Sequence, residues 1–241
     1  MPEIGRDNAV KKIERHRGNG LCVVGRIEGI LWLLAGLIAM GCLIVPVAMG
    51  QIPISSIEDL QKIGNDPAYP LDGDYVLTQD IDATATADWN DGAGFAPIGP
   101  DEDNRFTGIL DGQSHVIMGL VINRPSEYSV GLFRYLENGG EIRNLGLEGG
   151  SVLGMKSAGN LVGRNLGSVT SCYATGTVSA VEEAGGLLGL NRGSVTLCFA
   201  KGAVSGMYEV GGLMGRNDQG SVTLCYATGA VSGEDMAGGL A

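Results

Sequence analysis

The 241-residue chain carries 27 acidic and 16 basic residues, has a net charge of −11, and contains 41 glycines. Six of the basic and four of the acidic residues lie in residues 1–28, so the rest of the chain holds ten basic against 23 acidic residues. This balance argues against a nucleic-acid partner, because phosphate binding requires a basic face. The glycine share is more than twice the usual value of about 7%. The glycines recur at fixed offsets between apolar residues, which predicts turn positions in a repeat.

The first fifty residues have the order of charged, apolar and small residues that is typical of a secretory signal peptide. The apolar run covers residues 30–50 and ends in Ala48-Met49-Gly50, which resembles a signal-peptidase cleavage pattern. The run also approaches the ~20 residues that span a bilayer, so a retained membrane anchor over residues 30–50 is the alternative. A lipoprotein anchor at Cys42 is weaker, because apolar residues continue past it. Each interpretation places residues 51–241 outside the cytoplasm, either secreted or at the cell surface.

Residues 51–111 are predicted to form a capping helix and the first, acidic coils of a repeat fold. Ser55 with Glu58, or Ser56 with Asp59, makes a capping box, and apolar residues at helical spacing follow. An uncovered solenoid end aggregates, so a short amphipathic helix is expected to serve as the cap. The same segment holds thirteen acidic residues against two basic ones.

Residues 112–241 contain a repeat of about 26 residues. Its clearest units are AGNLVGRNLGSVTSCYATGTVSAVEE, AGGLLGLNRGSVTLCFAKGAVSGMYE and VGGLMGRNDQGSVTLCYATGAVSGEDM. Each unit offers about three runs punctuated by Gly, and such runs are too short for helices. The pattern predicts an all-β fold, a parallel β-helix (β-solenoid) with one coil per repeat. The last coil is predicted to be truncated, since the chain stops at Ala241 one strand into it.

Two divergent segments, HVIMGLVI and GEIRNLGL, align with GSVTSCYA and thereby predict which side chains point inward. Three columns stay apolar through five coils in this alignment. The first column is Ile117, Ile142, Val169, Val195 and Val222. The second is Leu120, Leu145, Cys172, Cys198 and Cys225. The third is Ile122, Leu147, Ala174, Ala200 and Ala227. The three-residue spacing between the first two columns requires a bend near Ser171, Leu197 and Leu224.

The same alignment directs an aromatic column outward, between the second and third inward columns. Its members are Val121, Gly146, Tyr173, Phe199 and Tyr226. The three aromatic residues are the candidate binding residues, because exposed aromatic rows bind sugars or protein partners. The alternative is a row that only stabilises the sheet.

The cysteine and asparagine columns are predicted to be structural. In-register Cβ atoms stay near the coil spacing of about 4.8 Å, whereas a disulfide needs about 3.8 Å, so the thiols are expected to pack as small apolar groups. They form a row and no tetrahedral cluster, which argues against a metal site. Asn165, Asn191 and Asn217 lie at a turn, where stacked amides can hydrogen-bond along the axis.

The units GGLLGLNRGSVTLCFAKGAVSG and GGLMGRNDQGSVTLCYATGAVSG resemble the GLUG motif. This glycine-rich repeat occurs in bacterial surface and secreted proteins, including non-catalytic parts of immunoglobulin A1-cleaving metallopeptidases. The resemblance covers residues 159–241 and extends more weakly back to about Ala68. It implies a right-handed β-solenoid on a surface or secreted protein, and it implies no activity, since the motif is a building unit.

The sequence contains no HExxH, GxSxG or phosphate-loop motif. His115 follows a turn, and nothing in the sequence brings Asp103 and Asp111 together as an acid pair, so we expect no enzymatic activity. No cofactor is expected. The acidic loop D-W-N-D-G lacks the alternate spacing of a calcium loop, so its residues and their neighbours are weak calcium candidates: Asp88, Asn90, Asp91, Asp101 and Asp103.

The sequence favours an exported cell-surface or secreted β-solenoid scaffold that acts as an adhesive or binding module without catalysis. Its expected partner is a surface glycan or an extracellular protein. The chain is expected to contact a membrane only through residues 30–50, and only if they are not cleaved. The alternative is a non-catalytic fragment of a larger secreted hydrolase or peptidase.

Overall fold

The regular structure consists almost entirely of strands of two to four residues, seen in a computed structural model that describes residues 50–241. Every named strand pairs in parallel with strands one coil earlier or later. Strands this short cannot bury an apolar face alone, so stability comes from stacking coil upon coil. The predicted all-β parallel β-solenoid is confirmed.

The predicted signal peptide or membrane anchor lies outside the described residues, apart from Gly50. Within residues 50–241, no helix has both the length and the apolar character needed to cross a membrane.

Five parallel sheets run along the solenoid, and each complete coil contributes one strand to each sheet in turn. Sheet 1 contains Ile52–Ile54, Asp74–Leu77, Ile109–Asp111, Glu141–Arg143, Ser168–Thr170, Ser194–Thr196 and Ser221–Thr223. Sheet 2 contains Ile81–Asp82, Val116–Met118, Gly146–Glu148, Tyr173–Ala174, Phe199–Ala200 and Tyr226–Ala227. Sheet 3 contains Val121–Asn123, Ser151–Leu153, Thr177–Ser179, Val204–Ser205 and Val231–Ser232. Sheet 4 contains Tyr128–Val130, Lys156–Gly159, Glu182–Gly185, Tyr208–Gly211 and Asp235–Gly238. Sheet 5 contains Phe133–Leu136, Val162–Asn165, Leu188–Asn191 and Met214–Asn217.

A complete coil therefore has five strands, where the sequence predicted about three runs. The extra corners come from left-handed residues that are not glycine. Ser171, Leu197 and Leu224 have φ of 55°, 57° and 54°, and they divide each SVTxCYA run into a sheet 1 strand and a sheet 2 strand. These are the positions where the spacing of the inward columns requires a bend.

The inward columns form one continuous core. In sheet 1, Leu110, Ile142, Val169 and Val195 are stacked in register and fully buried. Val222 continues this column and is partly buried. Burial of such apolar columns is the main stabilising contribution, at about 25 cal/mol per Å² removed from water.

The register predicted for the earliest repeat coil is wrong in all three inward columns and in the outward column. Ile117 pairs with Ile81 and Leu147 in sheet 2, and Leu110 takes its place in sheet 1. Leu120 lies against Gly150 at the turn into sheet 3, away from the column of Leu145.

The error has a physical cause in the turn that precedes the misaligned segment. Gln113 and Ser114 both have positive φ, so this corner contains extra residues and moves the following segment into sheet 2. Ile117 and Leu120 are buried all the same, because sheet 2 and the turn after it also face the core. Apolar character alone could not distinguish between these inward positions.

The first members predicted for the third inward column and for the outward column are wrong for the same reason. Ile122 pairs with Val152 in sheet 3 and does not stack with Leu147. Val116 pairs with Gly146, so Val116 replaces Val121 in the column that leads to the aromatic residues.

A short helix, Ile57–Lys62, lies at the beginning of the solenoid. The Ser56 hydroxyl accepts from the Asp59 amide at 3.2 Å, which is the N-cap half of the second predicted capping box. The Asp59 carboxylate accepts from the amide of Ser55, one residue before the N-cap, at 3.1 Å. The apolar side of the helix is buried against the first coils, through Ile57, Leu60 and Ile63.

The acidic loop completes the coil that precedes residues 109–136. A 3-10 segment, Thr84–Gly92, follows the sheet 2 strand Ile81–Asp82. Beyond it, isolated parallel bridges join Ile98 to Phe133 and Phe106 to Leu136. The loop thus covers the edge of the next coil without forming full strands there.

An asparagine column closes the turn from sheet 5 into sheet 1. The Asn165 side-chain amide donates to the Asn191 carbonyl at 2.8 Å, and the Asn191 amide donates to the Asn217 carbonyl at 2.8 Å. The Asn165 and Asn191 carbonyls also accept from the backbone amides of Gly167 and Gly193. Asn165 and Asn191 are fully buried, so these bonds satisfy polar groups that water cannot reach.

Replacing Asn191 with Ala should therefore destabilise the solenoid strongly. We expect Asn191→Ala to lower the free energy of unfolding by about 3 kcal/mol, because three neighbouring groups each lose a buried partner. Asn217→Ala is the matched control. Since Asn217 is exposed, its replacement should cost about 1 kcal/mol. Urea unfolding followed by circular dichroism measures both, and equal losses would contradict the buried ladder.

Candidate functional site

The three aromatic residues form one stack on the outer face of sheet 2. Tyr173, Phe199 and Tyr226 are paired in register. Their ring centroids are 4.9 Å and 5.1 Å apart, and the interplanar angles are 5° and 8°. These distances follow the spacing of neighbouring strands, so backbone pairing alone brings the rings face to face. Tyr173 and Phe199 are half-buried and Tyr226 is exposed.

Polar groups and a glycine border the stack. The Tyr173 hydroxyl donates to the Glu148 carboxylate at 2.7 Å. Burial, together with this neighbouring carboxylate, raises the pKa of Tyr173 to about 12, so the hydroxyl remains a donor at neutral pH. The Lys201 ammonium lies 4.9 Å from the centroid of the Phe199 ring and places a positive charge beside the stack. A Cβ at Gly146 would lie 2.6 Å from the Tyr173 ring, so glycine leaves room for that ring.

The stacked arrangement determines what the rings can contact. Both faces of Phe199 are covered by neighbouring rings, so its edge and the tyrosine hydroxyls remain for a partner. Leu197, two residues before Phe199, is 53% exposed and adds apolar surface at the same corner. Clustered aromatic and aliphatic groups with polar edges are typical of protein interfaces.

The conspicuous cysteines lie on the inner side. Cys172 and Cys198 are buried, Cys225 is partly buried, and all three are free thiols. The backbone amides of Cys172 and Cys198 donate to the sulfur of the next cysteine at 3.4 Å. Burial raises the pKa of the Cys172 thiol well above its ordinary value. These properties are those of packing groups and not of nucleophiles.

His115 and Asp111, which were considered for catalysis, each have a separate structural role. His115 Nδ1 is 3.0 Å from an Asp80 oxygen at an exposed position. Asp111 is buried and accepts from the Gln113 amide and the Arg143 guanidinium, both at 2.9 Å. Burial opposes ionisation of Asp111, but these donors outweigh it and hold its pKa below the usual value. A glycosidase general acid needs a raised pKa, so Asp111 does not suit that role.

The weak calcium candidates lie in two turns that are closed by their own hydrogen bonds. Asp88, Asn90 and Asp91 belong to the 3-10 segment, and the Asn90 amide donates to the Gly94 carbonyl at 2.7 Å. In the next turn, the Asp101 carboxylate accepts from the Asp103 amide at 2.9 Å. Within residues 50–241, no three or more His, Cys, Asp or Glu residues are grouped so that they could hold a metal ion. The calcium hypothesis therefore stays a prediction.

A polar groove between sheets 4 and 5 was not singled out from the sequence. It has a volume of about 420 Å³ and contains Glu183, which is 2% exposed. The sequence feature that marks the groove is a set of repeat columns whose residue type changes from coil to coil. Arg164, Leu190 and Arg216 occupy one such column. Aligning the units by their constant apolar columns passes over this variation.

A family model of the GLUG motif matches residues 156–179, which confirms the predicted resemblance for this part of the chain. Halomucin of Haloquadratum walsbyi is 42% identical over 130 residues, covering 52% of this chain and 1% of halomucin. A Gly-rich membrane protein of Evansella cellulosilytica is 41% identical over 98 residues, covering 39% of this chain and 11% of that protein. The chain thus spans only a small part of the curated relatives that it matches.

Among solved structures, the solenoid resembles a crystal structure described as an immunoglobulin A1 protease from Bacteroides ovatus. The TM-score is 0.65, with 23% sequence identity over 77% of this chain and 59% of that chain. At this level of identity the likeness concerns the fold alone.

The inner cysteines should resist modification in the folded protein. We expect iodoacetamide to leave Cys172 and Cys198 unmodified under native conditions and to modify both in denaturant, because burial keeps the reagent from both sulfur atoms. Peptide mapping by mass spectrometry measures each site, and Cys225, which is partly buried, provides an internal comparison. Rapid native labelling of Cys198 would contradict the inward assignment.

Asp111 should contribute to stability only where it is ionised. The donors around it lower its folded pKa below the unfolded value of about 3.9, so its contribution is present above that pH and is lost as the pH falls through the folded pKa. We expect Asp111→Asn to cost about 2 kcal/mol at pH 7. The cost should shrink below about pH 4.

Chemical unfolding at several pH values measures this dependence. Asp103→Asn, at an exposed position, is the control and should change stability by less than about 0.5 kcal/mol. A cost for Asp111→Asn that does not vary with pH would show that the lost contribution is not electrostatic.

Proposed function

We propose that residues 51–241 form a non-catalytic binding module on the outside of a cell, and that the aromatic stack of Tyr173, Phe199 and Tyr226 contacts an extracellular protein. The observation that supports this is the in-register stack itself, which a rigid parallel sheet holds with its ring edges toward solvent. Such a surface needs no rearrangement to bind, so little conformational entropy is lost on association.

The location is supported by the comparisons. The GLUG motif, halomucin and the Gly-rich membrane protein together indicate a surface or extracellular module. The predicted leader in residues 1–50 agrees with export, and we extend this to a secreted or surface-displayed adhesive role.

The absence of catalysis is proposed from the chemistry of the described side chains. Hydrogen bonds from the Gln113 amide and from Arg143 keep Asp111 ionised, and the thiols of Cys172 and Cys198 are buried, so these groups are unsuited to acid or nucleophilic roles. The Bacteroides ovatus protein is described as a protease, but a likeness in fold carries no catalytic role to this chain.

A protein partner suits the stack better than a sugar does. Sugars usually bind flat against a free aromatic face, and the inner faces here are occupied by neighbouring rings. Edges of aromatic rings beside Leu197, Lys201 and Glu148 instead offer apolar contact with a polar rim. This is the composition of an interface hot spot.

Replacing Tyr173, Phe199 and Tyr226 together with Ser should weaken binding strongly while the solenoid stays folded. The stack contributes about 0.5–1.5 kcal/mol per ring pair, so the melting temperature should fall but cooperative unfolding should persist. Binding is measured against immobilised extracellular-matrix proteins and, in parallel, a glycan array. For a matrix protein that binds the unmodified chain, affinity should fall at least about tenfold, as for other hot-spot truncations.

The matched control is Tyr208→Ser, which removes an exposed aromatic side chain from sheet 4 and should leave this binding unchanged. Unchanged binding in the triple variant would refute the proposed contact. Loss of cooperative unfolding would show that the stack serves stability alone.

A further inference from the structure

The groove between sheets 4 and 5 is built by the backbone of the repeat. Ser129, Ser157 and Glu183 occupy a left-handed position in successive strands of sheet 4, with φ of 53° to 55°. Glycines of sheet 5 pack directly against them: a Cβ at Gly189 would lie 2.1 Å from the carbonyl carbon of Ser157. The close approach of these strands sets the floor of the groove, and larger side chains on both sheets form its walls.

Positive charge gathers in this groove although the protein is acidic. Four of the ten Lys and Arg residues in residues 51–241 line it, against the two carboxylates of Glu102 and Glu183. The four cationic residues are Lys156, Arg164, Arg192 and Arg216. Five carboxylates, those of Glu102, Glu182, Glu183, Glu209 and Asp218, lie within 3.7 Å of these cations. Attraction of a ligand of opposite charge therefore depends on the cations that have no hydrogen-bonded carboxylate.

Two of these cations lack close partners. The Arg164 Nε is buried and has no hydrogen-bond partner among the described residues, and its guanidinium is 3.6 Å from Glu102. The Arg216 guanidinium is 3.7 Å from the carboxylates of Glu183 and Glu209, beyond hydrogen-bond length.

Lys156 and Arg192 differ, because each lies 2.6 Å from a carboxylate of the next coil. Arg164 and Arg216 are therefore the guanidiniums that remain available to a ligand.

Glu183 keeps the cations in place. Its carboxylate accepts a hydrogen bond from the Ser157 hydroxyl and lies 3.5 Å from the Lys156 ammonium. A buried carboxylate is tolerated only where donors and cations surround it. Glu183 therefore holds neighbouring cations toward the groove while its own charge stays at the floor.

The spacing of the two arginines indicates an extended ligand. Arg164 and Arg216 lie in one outward column of sheet 5, two coils apart, with Leu190 between them. Two coil steps place their backbones about 10 Å apart along the solenoid axis. A ligand that reaches both must carry oxyanions that repeat along its length.

We propose that this groove binds an acidic polysaccharide, with carboxylate or sulfate groups of its sugar units paired to Arg164 and Arg216. A guanidinium pairs with such an oxyanion through two parallel hydrogen bonds. The exposed ring of Tyr128 also lines the groove and offers a surface for a sugar ring.

An acidic peptide suits the groove less well. Leu190 is the only aliphatic residue among those that line it, so the groove has no apolar pocket for peptide side chains. The site is on sheets 4 and 5, whereas the aromatic stack is on sheet 2, so either proposal can fail without the other.

The test uses the full chain in biolayer interferometry with four immobilised polymers: polygalacturonate, dextran sulfate, neutral dextran and polyglutamate. We expect polygalacturonate, dextran sulfate or both to bind, with affinity that falls as salt is added, and neutral dextran not to bind. The two acidic polysaccharides distinguish carboxylate from sulfate recognition. Arg164→Gln and Arg216→Gln should each weaken binding about tenfold, as expected for loss of a charge-assisted contact.

Lys62→Gln is the matched control, since it removes the same charge from the exposed side of the capping helix and should leave affinity unchanged. Glu183→Gln tests the sign of the ligand. The amide oxygen of Gln can still accept the hydrogen bond from Ser157, but the substitution removes a negative charge from the groove. Affinity for whichever acidic polysaccharide binds should therefore rise by roughly twofold or more. If that variant melts early, Glu102→Gln, at the exposed edge of the groove, tests the same sign.

Three results would overturn the proposal. One is binding of acidic polysaccharides no tighter than that of neutral dextran. Another is that the charge variants fail to behave as expected: neither Arg164→Gln nor Arg216→Gln weakens binding, or the Glu→Gln variant weakens it. The third is equal or tighter binding of polyglutamate with the same dependence on Arg164 and Arg216, which would assign the groove to acidic peptides.

Discussion

Each position of this solenoid stacks on its own counterpart one coil away, and the rest of the structure depends on this. Parallel in-register pairing places equivalent side chains about 4.8 Å apart, so every column must be able to tolerate a copy of itself. Valine and alanine columns do so by packing, and asparagine does so because an amide both donates and accepts. Aromatic rings do so by stacking at 4.9 Å and 5.1 Å.

Like charges directly opposite one another on a sheet are destabilising, so repeated charges need a counter-ion. Glu183 and Glu209 do repeat in one column of sheet 4, and the Arg216 guanidinium lies 3.7 Å from both carboxylates. Elsewhere the structure meets this constraint by alternation. Lys156 stacks on Glu182, and Arg192 pairs with Asp218 of the next coil. In the column of Arg164 and Arg216, Leu190 separates the two arginines. The distribution of charge over the surface is thus governed by the coil spacing as much as by any ligand.

The fold could be predicted because self-stacking leaves a period in the sequence, and the inward columns from Val169 onward could be predicted because they repeat without change. Prediction failed where the period is disturbed. The extra left-handed residues Gln113 and Ser114 shift Ile117 into sheet 2, and no apolar pattern distinguishes one inward face from another. The corner at Leu197 and Leu224 was predicted from the spacing of the inward columns. The five-strand coil was missed, since the left-handed conformations of Ser157 and Glu183 in sheet 4 are not signalled by residue type.

The two candidate sites also differ in how far the sequence could predict them. The aromatic stack was predictable in its residues and direction, but not in the covering of ring faces, which depends on rotamers and on the space at Gly146. The groove was not predictable from repetition, because its residues differ between coils. Columns that repeat can present the same group many times and so suit a partner with an extended flat surface. Columns that vary, such as Arg164, Leu190 and Arg216, create one place along the solenoid that is unlike every other, and a solenoid needs such a place to recognise a ligand at a single position.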